Sequence, residues 1–257
     1  MSLGNGRERV CAALEAPAGL RSPLLRGEGM FSDGFSRIVP PPLDECVEQI
    51  TRQTYDRIAA EYCASTPAPR VRRRIVRAAL MFERLLVRNG HILVLGAGDG
   101  RDAAIFLAKG YRTTSLDYSA AMLHLGKERL RRWSRSASVL ANIKSSPFRS
   151  GVFQGIWASA CLYHVRKSAL TAIMPRLHDL LAPGGVLYLN LRRGEGERLD
   201  PSPRSFPAGG PRFYAFYSQS EVLSLVTSFD ILDIRFVDPI FGEDFVQAWL
   251  RKPAPAL

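Results

Sequence analysis

Gly96, Gly98 and Gly100 alternate directly behind the apolar run "HILVL", and an acid, Asp117, ends the next such run, "RTTSLD". Glycine at a strand-to-helix turn lets main chain come close to a ligand, because no Cβ holds it off. Amides at the start of the helix that follows can also face an anion. Asp117 lies 17 positions after Gly100, near the spacing of about 20 at which an acid reaches ribose hydroxyls. The combination points to a nucleoside ligand. Its pattern is G-x-G-x-G followed by Arg101 and Asp102, whereas dinucleotides favour G-x-G-x-x-G. No Walker lysine follows the glycines, which disfavours a nucleoside triphosphate.

These residues need a strand, a turn, a helix and a second strand to hold them, and the surrounding chain supplies that alternation. Strand "HILVL" leads through the glycines to helix "RDAAIFLAKG", and strand "RTTSLD" to helix "SAAMLHLGKERLRRW". Strands "ASVLANI" and "FQGIWASACL" follow, then helix "SALTAIMPRLHDLLAPGG" and strand "VLYLNLR". Short apolar strands alternating with helices predict parallel strands joined by crossovers. A polar Gly/Pro-rich loop over residues 194–211 then precedes "FYAFYSQSEVLSLVTS", in which Ser218 and Glu221 have capping-box spacing. "FDILDIRFV" and "DFVQAWLRK" close the chain with too short a link for a helix, which predicts an antiparallel hairpin. The fold class expected is therefore α/β, Rossmann-like and doubly wound, with a mostly parallel seven-stranded sheet and a reversed C-terminal edge strand. Upstream, "LDECVEQITRQTYDRIAAEYCAS" repeats apolar residues at helical spacing, and a second amphipathic helix runs from about Val71 to Val87. Residues 1–40, ending near "VPPP", read as an irregular arm.

At 257 residues and 46% hydrophobic, the chain suits one globular domain with appendages. No apolar run is long enough to span a bilayer and the first 30 residues lack the apolar core of a secretory signal, so a soluble, cytoplasmic protein is expected. The four cysteines, Cys11, Cys46, Cys63 and Cys161, form no C-x-x-C pair, so neither a metal site nor a disulfide framework is expected. The formal charge is +11, with much of the excess in "RVRRRIVRAALMFERLLVR" and "GKERLRRWSR". These read as solvated faces of amphipathic helices; an RNA footprint is the alternative, without the aromatic interleaving of a stacking platform.

"VLGAGDGRDAAIFLAKGYRTTSLDYSAAML" resembles the nucleoside-binding half of the class I S-adenosylmethionine-dependent methyltransferases. The resemblance continues through "SSPFRSGVFQGIWASACLYHV", "LHDLLAPGGVLYLNLR" and "FVQAWLRKP", in order, over roughly residues 45–253. It implies S-adenosyl-L-methionine as cofactor, S-adenosyl-L-homocysteine as product, and residues 41–257 as the methyltransferase domain. It also implies that Gly96, Ala97, Gly98 and Gly100 pass beneath the methionine and ribose portion, with Arg101 beside them, and that Asp117 accepts from both ribose hydroxyls. Tyr118, Met122 and Ile143 would border the adenine, and Ser159 would stand at the end of the fourth strand. Asn142 occupies a position where relatives usually carry an acid that accepts from the adenine amino group; its side-chain carbonyl can still accept, in a neutral and weaker bond. Tyr55 matches a helix that covers the methionine end, or is a packing tyrosine.

Methyl transfer is an in-line displacement, so the protein mainly aligns the acceptor and, where needed, removes a proton. His164, with Tyr163, is the general-base candidate by its position after the fourth strand; a structural hydrogen-bonder is the other reading. Residues 194–218 would form a lid over the acceptor, with Arg192 receiving an anionic group and Tyr214 and Tyr217 a planar one. A small-molecule acceptor for O- or N-methylation is the leading expectation. RNA or tRNA methylation, and cofactor binding without catalysis, remain as alternatives.

Overall fold

The computed structural model describes residues 43–65, 69–145, 147–201, 209–240 and 243–254. The expected arm over 1–40 lies outside them, as does part of the expected lid. Two helices lead: α1 (Leu43–Ala64) and α2 (Pro69–Arg84), the latter starting on a proline whose missing N–H is no loss in a first turn. Alternation then follows through β1 (His91–Leu95), α3 (Arg101–Leu107), β2 (Arg112–Asp117), α4 (Ala120–Leu130), β3 (Ser136–Leu140) and β4 (Phe153–Ala158). Next come α5 (Lys167–Leu180), β5 (Leu181–Arg193), β6 (Glu197–Asp200), β7 (Arg212–Tyr217), α6 (Gln219–Leu225), β8 (Asp230–Ile240) and β9 (Glu243–Arg251).

β3, β2, β1, β4 and β5 pair in that order, all parallel. β9 runs antiparallel to β5, from Val186↔Arg251 to Arg192↔Phe245, and β8 pairs antiparallel with β9 on its far side. The reversal expected from the terminal hairpin is therefore present. Side-chain alternation along each strand splits the core in two. Leu93, Leu95, Ile156, Leu187, Leu189, Val246 and Ala248 face one cluster with α5, while Ile92, Val94, Trp157, Tyr188 and Trp249 face another with α2 and α3. In the second cluster Trp157 stacks on Tyr188 at 4.0 Å, with Phe82 and Phe106 edge-on to it at 5.3 and 5.2 Å.

Three sequence expectations shift. Helix "SALTAIMPRLHDLLAPGG" stops at Leu180, and Leu181 already belongs to β5, because Pro183 biases Ala182 away from helical backbone. The loop at 194–211 is partly a ribbon: β6 pairs antiparallel with β7, from Glu197↔Ala215 to Asp200↔Arg212. Arg192 and Arg193 of β5 also pair with Phe216 and Tyr217 of β7, so the ribbon joins the sheet. The capping box at Ser218 is formed, its hydroxyl accepting from Glu221 N while the Glu221 carboxylate accepts from Ser218 N at 2.8 Å.

Candidate functional site

The glycine turn closes β1 with Gly96, Gly98 and Gly100 at φ of 56°, 52° and 77°, the left-handed region. Each glycine is required for a different reason. A Cβ on Gly96 would overlap Cβ of Cys161, which crosses above the turn after β4. One on Gly100 would sit 3.0 Å from Leu130 of α4. One on Gly98 would meet nothing closer than a carbonyl oxygen at 4.0 Å, because that position faces a cleft. Asp117, at the end of β2, accepts from Gly98 N at 2.7 Å on one oxygen and from Ser119 N at 2.8 Å on the other. Burial raises its carboxyl above the usual range, against the pull of those amides. A carboxylate offers about four acceptor sites, so capacity remains for a ligand's hydroxyls.

α1 roofs this cleft. Glu48, Tyr55 and Tyr62 recur every seven residues, which puts them on one helix face, and all three line the cleft. The roof is tied down at several points. Asp56 Oδ1 accepts from Ser119 Oγ at 2.6 Å, Thr51 accepts from Phe213 N at 3.0 Å, and Thr54 donates to Pro211 O at 2.7 Å. Arg101, expected beside the cofactor, pairs with Asp99 at 2.8 Å and lies 4.9 Å over the Tyr62 ring instead. Ala97 and Gly100 also lie outside the cleft lining, as parts of the turn's packing.

His164 is buried, and both ring nitrogens are engaged. Phe213 O, 2.7 Å from Nδ1, can only accept, so Nδ1 carries the proton and Nε2 accepts from the Tyr55 hydroxyl at 2.9 Å. Burial, aided by the Arg192 and Arg212 charges, pushes its pKa down to about 3. A neutral imidazole with both nitrogens occupied is a weak base, which departs from the general-base expectation. It fixes the orientation of Tyr55. Tyr163 is buried behind it, ring centroids 4.7 Å apart, and does not line the cleft. The three expected acceptor contacts also depart from expectation. Tyr214 and Tyr217 are 2% and 1% exposed and belong to the core, while Arg192 lies 3.9 Å over the Tyr214 ring. None of them lines the cleft. β7 buries its aromatics because it pairs with the end of β5 and packs on the sheet.

Beside Asp117 the cleft is lined by Leu116, Tyr118, Met122, Ala141, Asn142 and Ile143. Asn142 Oδ1 accepts from Lys144 N at 3.0 Å, and its Nδ2 donates to Glu48 Oε2 at 3.3 Å. Phe148 lies outside this lining, edge-on to Phe153 at 5.2 Å in the core. Elsewhere Ser159, Ala160, Cys161, Leu162 and Val165 form the wall, with Ala160 at φ 58° and its N–H donating to Asn190 Oδ1. The cleft encloses about 870 Å³, its mouth included. It sits over the carboxyl ends of β1 and β4, where strand order reverses, the usual ligand position in open α/β sheets. Sequence reasoning did not single out Glu48, Tyr62 or Cys161 for the site; the seven-residue spacing from Tyr55 was the available signal for the first two.

An apolar slot with a buried carboxylate in its wall suits a nucleoside-containing small molecule. Residues 92–185 match the family model described as a methyltransferase domain. Over 118 residues the chain is 33% identical to trans-aconitate 2-methyltransferase of Paracidovorax citrulli (strain AAC00-1), a stretch covering 45% of this chain and 42% of that relative. Among solved structures, 1,6-didemethyltoxoflavin-N1-methyltransferase of Burkholderia thailandensis, with 1,6-didemethyltoxoflavin and S-adenosylhomocysteine bound, superposes with a TM-score of 0.66. It shares 22% identity and covers 85% of this chain and 93% of its own. The [4+2]-cyclase SpnF superposes with a TM-score of 0.64 at 17% identity, covering 81% and 96%. The matched residues, the strand order and these likenesses agree on a methyltransferase domain within this chain, on a fold shared with solved S-adenosylmethionine-dependent methyltransferases.

Proposed function

We propose that this chain binds S-adenosylmethionine beneath α1 and transfers its methyl group to a small-molecule acceptor, with residues 41–257 as the methyltransferase domain. The observation that carries the reading is the Gly98–Asp117 pair, an open left-handed glycine and a buried carboxylate sharing one cleft. The residues fit the cofactor. Gly98 leaves space that any side chain would fill, and Asp117 keeps acceptor capacity for two ribose hydroxyls. Tyr118, Met122 and Ile143 would flank the base, and Tyr55 and Ser159 the methionine end. The chemistry supplied on binding is a methyl carbon on positively charged sulfur, open to in-line displacement by an acceptor lone pair.

The protein's part in that step is mainly alignment and exclusion of water. Tyr55, held by neutral His164, covers the centre of the cleft, and Tyr62 covers one end. No strong base stands in the cleft among the described residues, which suits an acceptor whose proton leaves to solvent or is already lost. Supporting a small acceptor is the likeness to a solved N-methyltransferase whose bound ligand, 1,6-didemethyltoxoflavin, is a small molecule. The likeness to the cyclase is a reminder that this fold hosts other chemistry.

The test is to incubate the chain with methyl-labelled S-adenosylmethionine and cell extract, then separate small molecules, RNA and protein. Label in the small-molecule pool, absent with Asp117→Ala, is the expected result. Label in RNA would replace the acceptor class and point to the exposed arginines of α2, Arg72, Arg73 and Arg77. Binding of the cofactor without any labelled product would remove the catalytic half of the proposal.

A further inference from the structure

Where Asn142 lines the cleft there is a polar arrangement that the strand pattern does not account for. Its walls are apolar, but Glu48 reaches in from the roof and is 7% exposed. One of its oxygens accepts from Asn142 Nδ2 at 3.3 Å, and the other lies 2.6 Å from Lys144 Nζ. Asn142 Oδ1 already accepts from Lys144 N at 3.0 Å, which leaves that neutral oxygen one lone pair, beside an amide that donates to Glu48. The charged acceptor at this part of the cleft is thus a carboxylate from a helix 94 positions away.

We propose that Glu48 recognises the exocyclic amino group of the cofactor's adenine, making α1 part of the base-specificity site rather than only a cover. The inference rests on the cofactor reading above. An apolar slot selects a planar base by shape, but a buried acceptor is needed to favour an amino-purine over its oxo counterpart. A carboxylate is acceptor-only, so it favours the amino form and repels the oxo form. Asn142 and Lys144 each hold one oxygen of that carboxylate, which lines the slot with lone pairs to spare. Asn142 is then a positioning residue, one step removed from the base.

Calorimetry with two ligands tests this: S-adenosylhomocysteine and S-inosylhomocysteine, in which an oxo group replaces the amino group. The wild-type chain is expected to prefer the adenosyl ligand by about tenfold to a hundredfold, the usual worth of one hydrogen bond to a charged group. In Glu48→Gln that preference should collapse, because an amide can donate to the oxo group, and the inosyl ligand should bind more tightly than it does to wild type. A purely structural role would weaken both ligands alike and cannot produce that gain. Glu48→Ala, checked for a normal melting profile, should lose the preference without the gain. An undiminished preference in both variants would overturn the assignment while leaving the cofactor reading intact. Failure of the wild-type chain to bind either ligand would overturn both.

Discussion

Gly96→Ala is the substitution whose cost can be worked most directly from the turn. Two separate penalties apply. Backbone at φ 56° costs a residue with a Cβ about 1–2 kcal/mol. The new methyl also overlaps Cβ of Cys161, and forcing a methyl into a filled site costs about 1–3 kcal/mol. Together the loss should be about 2–5 kcal/mol, a large share of the roughly 5–15 kcal/mol that holds a typical domain. Gly98→Ala supplies the internal control, since its φ of 52° is nearly the same but its Cβ would meet open space. Urea unfolding of wild type and both variants, compared at a common slope, isolates the overlap as the difference between them. Adding Cys161→Gly should return that difference in a double-mutant cycle, because the clash is with a Cβ that glycine lacks. Equal losses in Gly96→Ala and Gly98→Ala would refute the argument.

Other perturbations separate binding from stability. Gly98→Ala should weaken S-adenosylhomocysteine binding far more than it weakens folding, measured by calorimetry beside the urea series. Asp117→Ala removes an acceptor worth about 1.5–3 kcal/mol per charged hydrogen bond, so affinity should fall at least about tenfold to a hundredfold. His164 is held neutral, with its pKa down at about 3. The unfolded chain therefore takes up a proton near the ordinary histidine pKa of about 6.5 while the folded chain does not, and stability must fall as pH drops below that value. Its share should be about 2 kcal/mol between about pH 7 and pH 5. His91, lowered to about 4 by burial, adds to the same slope, so the check is the part of the pH dependence that His164→Gln removes. Ser218→Ala should cost about 0.5–2 kcal/mol through loss of the cap on α6, readable as a lower urea midpoint with ligand affinity unchanged.

The parts of this protein legible in its sequence are those governed by local rules. The glycine turn shows itself because only glycine tolerates three left-handed positions in five residues, and Asp117 because strand length sets its distance from them. The cap at Ser218 is a matter of three-residue spacing. What escaped depends on segments distant in the chain. Asn142 looked like a carbonyl offered to a ligand, and only the approach of Glu48, 94 positions away, shows that its amide donates there. Tyr214 and Tyr217 looked like a lid because aromatic clusters after a polar loop suit either rim or core. The two ladder pairs between β7 and the end of β5 decide for the core. His164 was found by position, but its role depended on Phe213 O, 49 positions on.

β5 outlasts its neighbour. β4 stops at Ala158, opposite Leu189, and the place beside Arg192 and Arg193 is filled by β7. One column of the sheet is therefore shared end to end by two segments that are not contiguous in the chain. The lower segment belongs to the nucleoside half, and the upper is the end of an excursion that leaves β5 at Gly194 and returns at Arg212. An excursion anchored on an overhang can be lengthened, shortened or exchanged while the register below it stays as it is. The fold thus separates the strands whose ends border the cleft from an insertion that can change length without disturbing them.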